Sequence, residues 1–355
     1  MLRNSIQTHV GKTVCLAAAL LGVAGLESSV FAQGCVQSRG AGGCMLMQGN
    51  DIYLHPGQWQ ASIGYRWLHS DRHFVGDREQ PQRQAAGNEV INDSHFIDLT
   101  ATYAVTKRWS LNLTLPFVYS DRSSKYEHLG NMPATNPRFH TQAGGLADVR
   151  LTSSFWIFNP DKHHEGNLAL GVGIKAPTGD YEATDVFQKP AGPTLGYVDQ
   201  SIQPGDGGWG VILDAQGFQK IVKNTYAYMQ ASYLINPREK IPTTGFSVPD
   251  SYLLRAGISY AIWPSKGLSL SLGGRMEGVP VTDWFGGSEG SRRPGYAVSI
   301  EPGITWVYKK VAVTVTAPVA LDRNRERSVS DLRNGRHGDA AFADFIITSS
   351  ISYRF

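Results

Sequence analysis

The last stretch of the chain, FADFIITSSISYRF over residues 342–355, constrains the fold more than any other part of the sequence. Counted back from Phe355, every second side chain belongs to a largely apolar set, and the intervening side chains are polar except Ile346. Because successive side chains of a β-strand point to opposite faces, the stretch predicts a strand with one apolar and one polar face. By itself, such a strand fits either the edge of a soluble sandwich or the last strand of a membrane barrel.

The same alternation recurs along the whole chain and decides between these two folds. It begins at Trp59 and gives 12 segments, of roughly 10 to 14 residues each, the length that a tilted membrane strand requires. Segment 224–235 is apolar at both parities, so its facing stays open. An even number of such alternating segments predicts an all-β fold. The expected architecture is a transmembrane antiparallel up-and-down barrel of about 12 strands over residues 58–355.

The connections between these segments are sorted by length, as in a barrel with external loops and periplasmic turns. Long polar connections at 70–93, 120–143, 178–206, 236–250, 279–293 and 323–341 alternate with short turns at 106–108, 159–166, 219–223, 263–266 and 309–310. Tryptophans stand near both sets of strand ends, which predicts two aromatic girdles, with Trp59, Trp109, Trp156, Trp263 and Trp306 on the short-turn side. Pro116, Pro302 and Pro318 each remove a ladder donor, so we expect bulges there.

Composition excludes two other classes of protein. A mean hydropathy of −0.23, and no internal apolar run of the 18 or more residues that a spanning helix needs, argue against a helical membrane protein. The net charge of +3 is small for 355 residues and predicts no nucleic-acid partner.

The amino terminus has the features of an export signal. Arg3 and Lys12 precede an apolar run that ends in the small-residue pattern Val30-Phe31-Ala32, so we expect a signal peptide at 1–32, cleaved after Ala32. Residues 33–57 are then a periplasmic lead-in. Cys35 and Cys44 are the cysteines left after export, and the oxidising compartment predicts a disulfide between them. Lipid-modified Cys35 is the alternative, and a metal pair is weaker still because no His or Cys lies nearby.

Eleven charged side chains fall on the inward parity of the predicted strands. The cations are Arg66, Arg150, Lys175, Arg255, Arg275 and Arg354, and the anions are Asp98, Asp148, Asp214, Glu277 and Glu301. Six positive and five negative charges nearly cancel, so pairing is expected. Two interpretations stay open: ion pairs that only hold the barrel's shape, or a charged constriction that selects small solutes. Because 12 strands lie between filled 8-stranded barrels and open 16-stranded ones, we expect a narrow or gated pore.

The carboxyl terminus resembles that of bacterial outer-membrane barrels, in which a final Phe and an aromatic residue at the third-last position help the assembly machinery recognise the chain. Here these are Phe355 and Tyr353. The resemblance implies a cell outer membrane location in a Gram-negative organism, with outer-membrane lipid and the barrel assembly machinery as partners. The last long connection is rich in arginine (323–336), where pairing with lipopolysaccharide phosphates is an alternative to a solvated loop.

Two rival functions remain. A 12-stranded outer-membrane phospholipase family exists, but such catalysis needs a Ser nucleophile with a His base. His95 is the outward strand histidine, and no Ser/His pairing recommends it, so we predict no enzyme, no catalytic residue, no metal and no cofactor. A structural or adhesive barrel without transport is the second rival.

A second resemblance begins at Lys175-Ala176-Pro177-Thr178-Gly179-Asp180, followed after a long connection by Gly205-Asp206-Gly207-Gly208-Trp209. This arrangement, over roughly 95–355, is similar to an outer-membrane family linked to meta-pathway phenol degradation. The resemblance implies a passive transporter of small solutes, aromatic or otherwise hydrophobic compounds among them. The glycine-rich segment leads into a strand rather than a helix, so it does not predict a phosphate site.

Overall fold

The computed structural model describes residues 33–34 and 53–355, and the predicted signal peptide and both cysteines of the mature chain lie outside these residues. The barrel strands are β2 (Trp59–Ser70), β5 (Ile91–Ala104), β6 (Trp109–Ser124), β7 (Phe139–Leu146), β8 (Arg150–Trp156), β9 (Gly166–Lys175), β12 (Gly210–Val222), β13 (Thr225–Ile235), β14 (Ser251–Trp263), β15 (Leu268–Val279), β16 (Gly295–Tyr308), β17 (Val311–Thr316), β18 (Val319–Arg325) and β20 (Phe345–Arg354). Fourteen strands form one sheet, in which β7 with β8 and β17 with β18 are halves of interrupted strands, so 14 − 2 leaves 12 crossings.

The sheet closes where the first crossing meets the last. β20 pairs with β2 from Gln60↔Arg354 onward, and every neighbouring pair in the barrel is antiparallel. Closure matters because a strand edge in hydrocarbon leaves backbone groups without partners. The predicted 12-stranded antiparallel barrel is confirmed.

The two faces of each strand differ as the alternation predicts. Outward side chains such as Ile63, Leu170 and Leu272 are 49–55% exposed, which is the pattern of a wall covered by lipid. Segment 224–235, whose facing the sequence leaves open, lies with Gln230 opposite the inward Gln216 and with Met229 outward. Even-numbered residues of β13 therefore face the lumen.

Each of the three prolines marks an irregular point in the wall. Leu146 pairs with Phe117 and Arg150 with Thr114, so β7 and β8 carry one extra residue opposite Pro116. Pro318 occupies the break between β17 and β18, and Pro302 lies opposite that break on β16. The strand pairing is thus irregular where proline lacks a backbone N–H donor.

The connections follow the predicted order of long and short. The short turns are tight: two residues join β12 to β13, with Asn224 at φ 63°, and two join β16 to β17, with Lys309 at φ 52°. The long connections carry structure of their own: β3 (Arg72–Val75), β4 (Arg78–Glu79), β10 (Thr184–Lys189), β11 (Gly192–Tyr197), β19 (Ala340–Phe342), α-helices at Gln82–Ala85 and Val329–Arg333, and a 3-10 turn at Gln200–Ile202, while a further 3-10 turn at Pro264–Lys266 lies in a short one. Across the described residues, no helix is long and apolar enough to cross a membrane.

The described part of the predicted lead-in touches both ends of the barrel. Gln33–Gly34 (β1) pairs in parallel with Ala340–Ala341 in the last long connection. Tyr53, in contrast, contacts Trp156 and Phe218 at the short-turn end.

Candidate functional site

The lumen contains a cavity of about 220 Å³ whose wall is built from inward side chains of ten strands. Most of these side chains carry hydroxyl or amide groups: Gln60, Ser62, Thr100, Thr102, Ser110, Asn112, Thr114, Thr152, Ser154, Gln216, Gln230, Ser232, Thr314, Thr316, Thr348, Ser350 and Ser352. Several bond to one another across strands, as the hydroxyls of Thr100 and Thr114 do at 3.0 Å and Thr102 to Asn112 at 2.8 Å. The lining therefore combines hydroxyl and amide groups with a larger apolar surface, which suits water or a small solute that has both polar and apolar parts.

Five of the predicted lumen charges line this cavity: Arg66, Asp98, Arg150, Asp214 and Arg255. Arg150 Nη2 lies 3.4 Å from Asp98 Oδ1, a loose pair whose side chains remain 16% and 21% exposed. The Arg66 guanidinium lies 4.2 Å from the centre of the Phe96 ring. These side chains are placed to meet anything that occupies the cavity.

Three further predicted charges, Arg275, Glu277 and Glu301, are buried behind the cavity, and Glu301 pairs with Arg255. Arg255 contacts Glu301 through two nitrogens, and Arg275 donates to both carboxylate oxygens of Glu277 at 3.0 Å. Arg275 also lies 3.5 Å from Glu301, and all four side chains are at most 5% exposed. Two cations and two anions balance within this set, as expected under the first of the two interpretations, ion pairs that hold the barrel's shape.

Lys175 and Asp148 belong to a separate cluster beside the irregular strand. Lys175 Nζ lies 3.5 Å from Asp148 Oδ2 and also contacts Asp206. Asp148 accepts backbone hydrogen bonds from Gly179 and Asp206, both at 3.1 Å. The two segments singled out in the sequence, 175–180 and 205–209, thus meet at one carboxylate.

The two segments also touch through glycine. A Cβ atom on Gly205 would lie 2.4 Å from the Gly179 carbonyl oxygen, and one on Gly179 would lie 2.8 Å from Gly205 Cα. Only glycine permits this separation, because every other residue adds a Cβ. Arg354, the last predicted lumen charge, lies apart from this cluster, and its Nε donates to the side-chain oxygen Oε1 of Gln60 at 3.0 Å.

An apolar layer covers the cavity on the side of the long connections. Leu68, Ile346 and Ala343 form one buried cluster against Phe96, and Phe74, Ala297, Ala340 and Phe342 form another. This layer explains Ile346, the exception in the polar face of the last strand. Part of it comes from connection residues, so the mouth is closed by loops as well as by strands.

A buried ionic cluster holds a third part of this cover in place. Val198 and Ile202 insert beside Ala143, and Asp199 between them accepts from Arg293 Nη2 at 3.0 Å and lies 3.6 Å from Arg122 Nη2. Burial raises the pKa of Asp199, but the two guanidinium groups outweigh it and hold that pKa below its ordinary value. Burial likewise lowers the pKa of Arg293 to about 10.

Three aromatic side chains pack against one another in the lumen at the short-turn end. Tyr53 lies 5.2 Å from Trp156 and 6.1 Å from Phe218, and Trp156 lies 6.0 Å from Phe218, measured between ring centres. Tyr53 is anchored because its hydroxyl donates to the His163 carbonyl oxygen at 2.6 Å and accepts from Asn167 at 3.0 Å. The assignment of Trp156 to the lipid-facing girdle was therefore wrong: its parity on β8 is inward.

The arginine-rich last connection is also less solvated than its composition suggests. Arg323 and Arg325 are 6% and 3% exposed, and Arg325 donates to Asp331 at 2.8 Å. Arg333 remains exposed and pairs with Glu289. Only part of this connection therefore presents charge to the surroundings.

The remaining sequence candidates have simple placements. Tyr353 and Phe355 face outward at the short-turn end, 47% and 56% exposed, with their ring centres 5.7 Å apart. The Nδ1 atom of His95 lies 2.8 Å from the hydroxyl of Tyr65. Sequence reasoning missed Asp199, Arg122 and Arg293. All three fall in predicted long connections, where no strand alternation indicates which side chains are buried.

No known protein-family model matches the sequence, so the likeness to the phenol-linked family remains a prediction. The chain is similar to the crystal structure of an outer membrane channel from Pseudomonas putida F1, with a TM-score of 0.55 and 14% identity over 87% of this chain and 99% of that chain. The shared fold agrees with the closed barrel and its apolar exterior. This is an outer-membrane β-barrel.

Two weaker likenesses accompany that barrel. One is to the β-domain of the Bordetella autotransporter BrkA, with a TM-score of 0.45 and 13% identity over 85% of this chain and 100% of that chain. The other is to the toluene transporter TodX of P. putida, with a TM-score of 0.41 and 9% identity over 92% and 99%.

Proposed function

We propose that this protein is a passive outer-membrane channel for small solutes. The observation that carries the proposal is the cavity of about 220 Å³ inside the barrel, which inward side chains of ten strands line. Side chains fill the lumen of an 8-stranded barrel, whereas this 12-stranded barrel keeps internal space that a small solute can occupy. The fold shared with a protein described as an outer membrane channel supports the same function.

The closures at the two ends are compatible with transport because segments outside the barrel strands contribute to both. The external side is covered in part by connection residues such as Val198, Ile202 and Phe342, and Tyr53, which precedes the first barrel strand, occupies the other end. Loops and segments ahead of the first strand move at lower cost than ladders do. We therefore infer a gated channel rather than an open one.

The class of solute follows from size and lining. An apolar cavity of about 150 Å³ holds benzene, so a cavity of about 220 Å³ has room for a single small ring or a short chain. The hydroxyl and amide groups of the wall can bond a polar group of a solute, and the apolar part of the lining can contact its hydrocarbon part, so a solute with at least one polar group fits best. Transport of aromatic compounds, which the resemblance at Lys175–Asp180 implies, fits if they carry such a group.

Planar-bilayer recording of the purified protein tests the proposal. We expect intermittent conductance in wild type, a shift toward cations in Arg150→Gln and a shift toward anions in Asp214→Asn, because each residue lines the cavity with a charge of opposite sign. The opposite shifts serve as mutual controls. Protein that never conducts, at any voltage, with correctly folded barrels on the gel, contradicts a channel.

A structural or adhesive barrel is the second candidate, and the neutral set of Arg255, Glu301, Arg275 and Glu277 favours it. These pairs stiffen the wall whether or not solutes pass. Under this function the two variants above change stability only, and the current stays at zero.

A further inference from the structure

Asp214 lines the cavity and, among the residues that the structure describes, has no ion-pair partner. Its side chain accepts a hydrogen bond from Ser232, its register partner on β13. Arg150 attracts it only from a distance and is itself paired with Asp98 at 3.4 Å. Because an ionised carboxylate inside a protein is costly without a counter-charge, this position favours a cation that the wall itself does not supply.

Asp214 is presented to the cavity rather than buried behind it. It has inward parity on β12 and is partly exposed, whereas Glu277 and Glu301 are 2% and 1% exposed. Its register partner on β9 is Gly171, which has no side chain to cover it. A Cβ atom on Gly171 would lie 3.2 Å from Asp214 Cβ and 3.3 Å from Ser154 Oγ. Glycine therefore keeps the space between this acidic side chain and a hydroxyl clear of any other side chain.

The surroundings of Asp214 offer the acceptors that a protonated amine needs. An ammonium group has three N–H donors and no acceptor, so it requires oxygens with free lone pairs. The carboxylate supplies two such oxygens. Ser154 Oγ, which also lines the cavity, accepts from Asn112 at 3.4 Å and keeps a second lone pair. The apolar part of the cavity lining can contact the hydrocarbon part of the same molecule.

We propose that Asp214 binds the protonated amino group of a small organic amine inside the cavity, which deepens and rests on the proposed channel function. The ammonium group supplies the counter-charge, and the Ser154 hydroxyl accepts one of its N–H groups. Hydrogen bonds between charged partners are about twice as strong as neutral ones, so an amine is favoured over an alcohol of the same shape. A carboxylic acid is disfavoured, because its anion meets a like charge.

Ligand-observed ¹⁹F NMR on the purified barrel in detergent tests this site. The probes are 4-fluorobenzylamine, 4-fluorobenzyl alcohol and 4-fluorobenzoate at neutral pH, which share a ring and differ in charge. We expect the amine to bind at least about tenfold more tightly than the alcohol, and the benzoate to bind most weakly. The isosteric variant Asp214→Asn should weaken amine binding by at least about tenfold and change alcohol binding by less than about twofold.

Asp322→Asn is the matched control, because it makes the same change at an exposed carboxylate of β18 that does not belong to the cavity lining; we expect less than about twofold change in amine binding. Equal binding of amine and alcohol to wild type, or equal amine binding to wild type and Asp214→Asn, overturns the site. Equal weakening in both Asn variants overturns it as well, because the amine is then attracted by surface charge. Bilayer recording on the same preparations separates the two proposals. Conductance without the amine preference removes the amine site alone, whereas the amine preference without any conductance removes the channel alone.

Discussion

Glu301 shows how strongly one buried charge depends on its partner. Arg255→Met leaves a carboxylate that is 1% exposed with Arg275 3.5 Å away as its remaining cation, and breaking such a pair costs about 3–5 kcal/mol. Arg255→Met/Glu301→Gln removes both charges and should recover most of that loss. The measurement is the temperature at which the folded band disappears in a detergent gel. A double variant no more stable than the single one contradicts the pairing.

Asp199 makes the external cover sensitive to acid. Its pKa in the folded protein lies below the ordinary value of 3.8, so its contribution to stability is present above that pH and is lost as pH falls through the folded value. We expect the connection 176–209 to become accessible to an acid-stable protease as the pH falls below about 4. Asp199→Asn should be accessible already at neutral pH, with little further change in acid. Identical acid profiles for both proteins refute this role.

At the scale of elements, the connection from β9 to β12 depends on a contact between its two ends, which approach each other at Gly179 and Gly205. Gly205→Ala places a Cβ atom 2.4 Å from the Gly179 carbonyl oxygen, which must push segments 175–180 and 205–209 apart and disturb the contacts of Lys175. We expect the gel transition to fall by several degrees, corresponding to about 1–3 kcal/mol. Gly274→Ala is the control, because nothing lies within 4 Å of its added Cβ. Equal transitions in the two variants dismiss this approach as a stabilising contact.

The closing strand β20 carries the residues expected to direct assembly. Phe355 lies outward and 56% exposed, so deleting it removes little packing. We expect a lower yield of folded barrel in cells, because the assembly machinery loses its recognition residue, and an unchanged transition for protein refolded in detergent. Tyr308→Ala, another exposed aromatic at the same end, should leave the cellular yield as it is. A normal yield without Phe355 excludes the recognition role.

At the scale of the whole molecule, alternation is what made the barrel predictable from the sequence. A period of two places Arg255, Glu301 and Asp214 in the lumen, because parity on a strand decides the face. Which charges line the cavity and which lie behind it depends on barrel curvature, and that is absent from the pattern. Asp199 was unpredictable for another reason: its burial results from a connection folding back over the mouth.

For some residues, neighbouring side chains rather than residue type determine which face they occupy. Trp156 has inward parity, but its aromatic character suggested the membrane interface; Tyr53 and Phe218 supply the apolar contacts that keep it inside. For β13 both parities were apolar, so the facing was settled by its neighbours rather than by its own residues.

The meeting of β2 and β20 has a consequence for chain order. The backbone N–H and C=O groups of Trp59 and Phe355 hydrogen-bond to each other, at 3.0 and 3.3 Å. The first and last residues of the barrel sequence are therefore adjacent. A circular permutant that joins Phe355 to Tyr53 by a short linker, and opens the chain between Pro190 and Ala191 at the hairpin tip, keeps every barrel ladder. It should refold in detergent like the parent. In cells it should fail if assembly depends on the aromatic carboxyl terminus, as we propose, because Phe355 is then inside the polypeptide.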